Sequence, residues 1–359
     1  MVTKIPEHRL HWVDCLRGIA ALLVVILHLW TSILINYHMA STAAINGISG
    51  IVYGYLDFGK IGVVVFFMIS GYVIPYSLKG KPLKKFFTTR FFRLYPSYWF
   101  SILSFIIIVG MPPVKEFVVN LTMLQRFVGL PDLIGAFWTL QIELIFYFLC
   151  AVLHYFNWLE NDKVILKTIY VLIFLSLLLA AARYFTNIKL PIALFLALAV
   201  MFIGLGWRRY SLDKSVIISK KVMYTALSAF IIFLLPVTLL AYSRDYGFNE
   251  TWYRYFLSYT VAIAVFFVFA QYKFVNRVLL FFGSISYSLY LLHPLFGLEL
   301  STKVVKLLNS NSIALYVIIF FALSILSAVF CFYFIEKPFI LLGKRVLKLF
   351  AKNQETVIT

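Results

Sequence analysis

The sequence predicts an all-α, polytopic integral membrane protein with about ten transmembrane helices and both termini in the cytoplasm. Three observations carry this. Of the 359 residues, 63% are hydrophobic and only 13% charged, where a soluble domain has roughly 25% charged residues. Mean hydropathy is +0.94, more apolar surface than a soluble fold of this size can bury. The apolar runs are long and unbroken, without the apolar–polar alternation of barrel strands. Lipid cannot satisfy free backbone groups, so such runs must cross as helices.

Taken in order, runs of about 20 residues place helices at 12–35, 59–78, 95–111, 136–156, 164–182, 190–207, 222–242, 253–271, 284–305 and 312–342. The first run carries Asp14 and Arg17 and outlasts the apolar core of a signal peptide, so it reads as a span. The stretch Ser41–Ala44 only mimics a cleavage site. The last run is too long for one straight crossing and must tilt or continue past the membrane. With no internal repeat and no long linker, residues 1–359 read as a single membrane domain, its core helices between 12 and 342 and no extracytoplasmic domain fused to it.

The net charge of +18 fits the same topology better than it fits nucleic acid. With the N-terminus inside, 23 of the 32 Lys and Arg residues fall on the cytoplasmic side. The segment 79–93 is the most basic and is expected to be a cytoplasmic loop. It contains Arg90 and Arg93, which on a helix would share a face and could grip one phosphate group or anchor anionic lipid.

Ionisable residues inside a span are costly and usually functional. Arg17 and His28 lie eleven positions apart in the first helix, close to three turns, so they share a face about 16 Å apart along the axis. A cation near the inner end could hold a phosphate, and the histidine deeper in could act as a base, although a snorkelling Arg17 paired with Asp14 and a helix-packing His28 are the structural alternatives. Glu143 follows Trp138 in the fourth span, with Tyr147 one turn on, and its expected partner is His28. Ser70-Gly71 ends an apolar run and suits either a close helix contact or a hydroxyl near the site. His293, ahead of Pro294 and behind Tyr290, either lines the same cavity or bonds between helices.

His8, His11, His38 and His154 fall near span ends, where solvated or interfacial roles are expected. Cys15, Cys150 and Cys331 sit in apolar runs without metal-ligand spacing and read as buried hydrophobes; no metal site is expected. Asn120-Leu121-Thr122 and Asn249-Glu250-Thr251 match the glycosylation triplet. A Walker loop, a Gly-x-Ser-x-Gly elbow and a His-Glu-x-x-His motif are all missing, which argues against an ATP-driven pump and the common hydrolases.

Six segments together resemble the membrane acyltransferases of acyltransferase family 3, bacterial O-acyltransferases that modify surface glycans. They are Val13–Ala21 reaching His28, Phe66–Tyr72, Arg90–Pro96, Trp138–Leu140 leading to Glu143 and Tyr147, Ser286–His293, and Glu336-Lys337-Pro338. The resemblance implies ten core helices in a bacterial cytoplasmic membrane. It implies acyl-CoA, commonly acetyl-CoA, as a cytoplasmic donor substrate, with no permanently bound cofactor. The implied acceptor is a glycan hydroxyl at the outer face. It implies His28 as the catalytic histidine, acting as base or transient acyl carrier, with Glu143 beside it. Arg17, Arg90 and Arg93 are then donor-site residues, and Ser70, Tyr147, Tyr290 and His293 line the substrate path. Expected partners are membrane lipid, the donor, the glycan and, where the acyl group is handed on, a second protein. The competing function is a secondary transporter or a flippase for a lipid-linked sugar, since buried Arg, His and Glu also suit proton relays. The lack of an inverted repeat speaks against it.

Overall fold

A computed structural model describes residues 10–37, 42–245 and 250–356, with side chains up to 349. His8, His38, Ser41 and Asn249 lie outside the described residues. The described chain is helical throughout, without strands. Nine of its helices are long and apolar enough to cross a membrane, and a bent pair makes a tenth.

The spans begin with α1 (His11–Asn36), then a short α2 (Ala43–Ser49) that runs through a π-helical turn at Gly50–Gly54 toward α3 (Phe58–Val73). Asp57 caps α3 by accepting from Lys60 N at 2.8 Å, which satisfies one free N–H of the first turn. Next come α4 (Leu83–Ile108), a short α5 (Val114–Asn120), α6 (Phe137–Tyr155), α7 (Asp162–Thr186), α8 (Ile192–Ser211), α9 (Lys220–Tyr242) and α10 (Trp252–Tyr272). The bent span is α11 (Arg277–Ser284) followed by α12 (Ser286–Leu292), a π-helical stretch at His293–Leu300 and α13 (Ser301–Leu307). The last is α14 (Ile313–Cys331), which passes through a π-helical turn at Phe332–Glu336 into α15 (Lys337–Thr356).

Three boundaries differ from expectation. The segment expected as a basic loop is helical from Leu83, because Phe86 and Leu94 are buried while Lys84 and Lys85 face outward. An apolar stripe of that spacing extends a helix beyond the point where hydropathy falls. The ninth span is not one straight helix over 284–305: it begins at Arg277 and turns by 59° at Ile285. The tenth continues as helix to Thr356, past its expected end at 342.

The centre of the bundle is α3, which packs against α1, α8 and α10. Glycines let the backbones meet. A Cβ on Gly71 would run into the Met201 carbonyl, and one on Gly204 into that of Met68, so α3 and α8 cross almost backbone to backbone. Gly18 and Gly283 do the same for α1 and α11, each against a carbonyl of the other helix. The two crossings fix α1, α3 and the bent span around one interior space.

Candidate active site

That space is a cavity lined from α1 by Arg17, from α3 by Val63, Phe66, Phe67 and Ser70, from α6 by Thr139, Leu140 and Glu143, and from α12 by Ser286, Tyr287 and Tyr290. Four of the residues singled out in the sequence, Arg17, Ser70, Glu143 and Tyr290, therefore share one chamber.

Glu143 is held from two sides. Its Oε1 accepts from Tyr147 Oη at 2.7 Å and from Ser70 Oγ at 3.3 Å. The expected Glu143–His28 pair is replaced by these bonds. Tyr147 lies one turn along the same helix, so i to i+4 geometry brings its hydroxyl to the carboxyl group. Gly71 thus supplies the close helix contact, and Ser70 the hydroxyl at the site.

Arg90 and Arg93 both act electrostatically on Tyr147. Arg90 donates from Nη2 to Ser77 Oγ at 2.7 Å and lies over the Phe86 and Tyr147 rings, 5.4 and 5.3 Å from their centroids. Arg93 acts electrostatically on Arg17 and on Glu336. Arg17 is reached by the fields of Arg93, Asp14, Glu143 and Glu336, yet among the described residues neither Arg17 nor Arg93 makes a hydrogen bond or ion pair. The Arg17 Nε–H is buried without a partner. A buried guanidinium with an unpaired N–H, within the field of a second arginine, suits an anion.

Beyond Tyr290 the site continues to a histidine pair. Tyr290 shares a hydrogen bond with Thr139 Oγ1 at 3.0 Å, and its ring lies edge-on to Phe66 with centroids 5.9 Å apart. Its centroid is 6.1 Å from that of the fully buried His293. His293 Nε2 in turn lies 3.4 Å from His28 Nδ1, and the ring centroids are 4.9 Å apart. The face of α1 that carries Arg17 and His28 therefore looks onto the segment 286–293 at two levels, as the eleven-residue spacing predicts.

Glu336 is the site residue the sequence reading left without a role. It is 3% exposed, accepts from Ser288 Oγ at 2.7 Å through Oε2, and feels both Arg93 and Arg17. A carboxyl group inside the long 312–342 run is the same signal that singled out Glu143. The π-helical turn at Phe332–Glu336 places it here, and another π-helical stretch begins at His293; such turns often re-aim side chains at functional sites.

At one end of the bundle, α5 and the loop to α6 form a polar clasp around Asp132. Its Oδ1 accepts from Gln125 and Gln141, and its Oδ2 pairs with Arg126 Nε at 2.6 Å. Asn120 is fully buried: its amide donates to Glu116 and Pro131 carbonyls and its Oδ1 accepts from Leu133 N. The triplet at Asn120 is therefore not an accessible glycosylation site.

At the opposite end, His154 is half-buried and lines a second cavity with Arg208 and Arg209. Arg209 is paired there with Asp162 and Asp213, and Arg208 stacks on Tyr76. His11 is exposed at the start of α1. The three cysteines are free and buried.

No curated protein and no solved structure matches the chain. The family model for acyltransferase family 3, described as an acyltransferase domain, matches residues 10–336. That match spans every residue of the chamber and the histidine pair, and the chain belongs to the membrane acyltransferases of this family.

Proposed function

We propose that the protein transfers an acyl group, acetyl in the simplest case, from acyl-CoA presented at the cytoplasmic face of a bacterial inner membrane to a hydroxyl of a cell-surface or lipid-linked glycan at the outer face. The observation that carries this reading is the unpartnered Arg17 guanidinium at one level of a chamber whose other level ends at Tyr290, the neighbour of the histidine pair. An anionic donor fits the arginine end, where Arg17 and Arg93 have donors to give. The distribution of Lys and Arg supports putting that end, with both termini, in the cytoplasm.

The chemistry asked of the chain is modest, because a thioester is already activated. His28 takes the proton of the acceptor hydroxyl as its oxygen attacks the thioester carbonyl, and the C–S bond breaks as the tetrahedral intermediate collapses. The thiolate of coenzyme A then takes the proton from the imidazolium, leaving an ester, free coenzyme A and a neutral histidine. Holding donor and acceptor together supplies much of the remaining acceleration. Ser70 and Glu143 face the chamber and line the donor's path, with Tyr147 fixing the carboxyl group.

The test is transfer of label from [14C]acetyl-CoA to the glycan fraction of membranes that contain the protein. Label with wild type, lost to background in His28→Ala, supports the reading; a general base contributes about 10²–10⁴-fold. Wild-type membranes that transport a lipid-linked sugar but never transfer label would support a transporter instead.

A further inference from the structure

The two histidines have defined tautomers. His28 Nδ1 lies 2.8 Å from the Val24 carbonyl oxygen. A carbonyl only accepts, so Nδ1 carries the proton and Nε2 keeps its lone pair. His293 Nδ1 lies 3.1 and 3.0 Å from the carbonyl oxygens of Leu289 and Tyr290, so it too is Nδ1-protonated with a lone pair on Nε2. That lone pair points to His28 Nδ1–H at 3.4 Å. The proton of His28 therefore has two acceptors, Val24 O as the short arm and His293 Nε2 as the long one.

We propose that His293 is a positioning residue for His28, filling the place that a carboxylate holds beside other catalytic histidines. The inference rests on the acyl-transfer reading above. A carboxylate beside a histidine base fixes its tautomer and steadies the imidazolium. Here the Val24 carbonyl fixes the tautomer and the His293 lone pair adds a second acceptor, which gains most when His28 becomes cationic and its Nδ1–H bond becomes charge-assisted. A neutral acceptor suits this depth, because a second carboxylate would need its own counter-charge among apolar helices. His293 is in turn held by the Leu289 carbonyl, which also accepts the His293 backbone N–H, and by the Tyr290 carbonyl, which faces Pro294 and so has no backbone N–H at the usual i+4 position; the two contacts hold its ring in place. The proton removed from the acceptor hydroxyl goes to His28 Nε2 and leaves from there to the thiolate. His293 exchanges no proton.

Two substitutions separate positioning from packing. His293→Asn keeps a donor near the Leu289 and Tyr290 carbonyls but has no atom that reaches His28. His293→Gln extends an acceptor oxygen to about the position of Nε2. With [14C]acetyl-CoA and membranes containing each variant, His293→Asn should lower the saturated rate by about 10–100-fold, comparable to losing the partner that orients a metal-bound histidine, with the half-saturating donor concentration unchanged. His293→Gln should restore most of that rate. Wild-type turnover in His293→Asn, or equal loss in both variants, overturns the proposal. Label that persists in His28→Ala, or its absence with wild type, overturns the acyl-transfer reading through His28 and this inference with it.

Discussion

Arg17, Arg93, Glu143 and Glu336 bring two guanidinium and two carboxyl groups into the interior of a protein with few charges to spare. The carboxyl groups are satisfied locally, by Ser70 and Tyr147 in one case and by Ser288 in the other. The arginines are not, so the cluster is held ready on its acidic side and left open on its basic side. Removing an acidic member should therefore cost stability as well as function. Glu336→Ala should destabilise the detergent-solubilised protein by about 1–3 kcal/mol, the cost of leaving the buried Ser288 hydroxyl without its acceptor. Glu336→Gln, which still accepts from Ser288, should lose less; a thermal unfolding series gives the order. At this scale the sequence was legible where local geometry decides. The spacing of Arg17 and His28 predicts one face, and both look onto the segment 286–293. It was not legible for Glu143, whose partner depends on which helices become neighbours. A periodicity cannot say that Ser70 lies closer to it than His28.

At the scale of elements, hydropathy finds the spans because the bilayer imposes one thickness on all of them. It places their ends poorly where a basic, amphipathic turn extends a helix, as from Leu83 to Arg93, and it cannot see the bend at Ile285. Both misreadings bear on function. The shared helical face expected of Arg90 and Arg93 lies within α4, where Arg90 is bonded to Ser77 and Arg93 acts electrostatically on Arg17. The crossing of α3 with α8 should be the least forgiving element. Gly71→Ala places a methyl group against the Met201 backbone, which cannot rotate aside as a side chain can. Destabilisation of at least about 3 kcal/mol is expected, at the upper end for overpacking. Gly47→Ala, with nothing within 4 Å of its new Cβ, should leave the melting temperature within error of wild type.

For the whole molecule, alternating helix direction carries the bundle from the basic end to the other and back, so the charge asymmetry becomes a test of topology. A green fluorescent protein fused after Thr359 should fluoresce, and alkaline phosphatase inserted in the 109–113 turn should be active, as expected for cytoplasmic and outer positions. The reverse pattern would invert the assignment of donor and acceptor sides.

The buried Asn120 has a consequence for how the protein can be made. Its triplet is intact in the chain, while its amide is fully engaged once α5 and the following loop have folded. In a eukaryotic secretory host, an oligosaccharyltransferase would meet that triplet before the clasp closes, and a sugar attached then would bar Asn120 from its interior position. Production in yeast should yield a mixture of unmodified folded protein and glycosylated, degraded chains. Thr122→Ala abolishes the acceptor sequence and gives up only the hydroxyl contacts to Val119 and Leu124; it should raise the folded yield in that host and leave the bacterial yield unchanged.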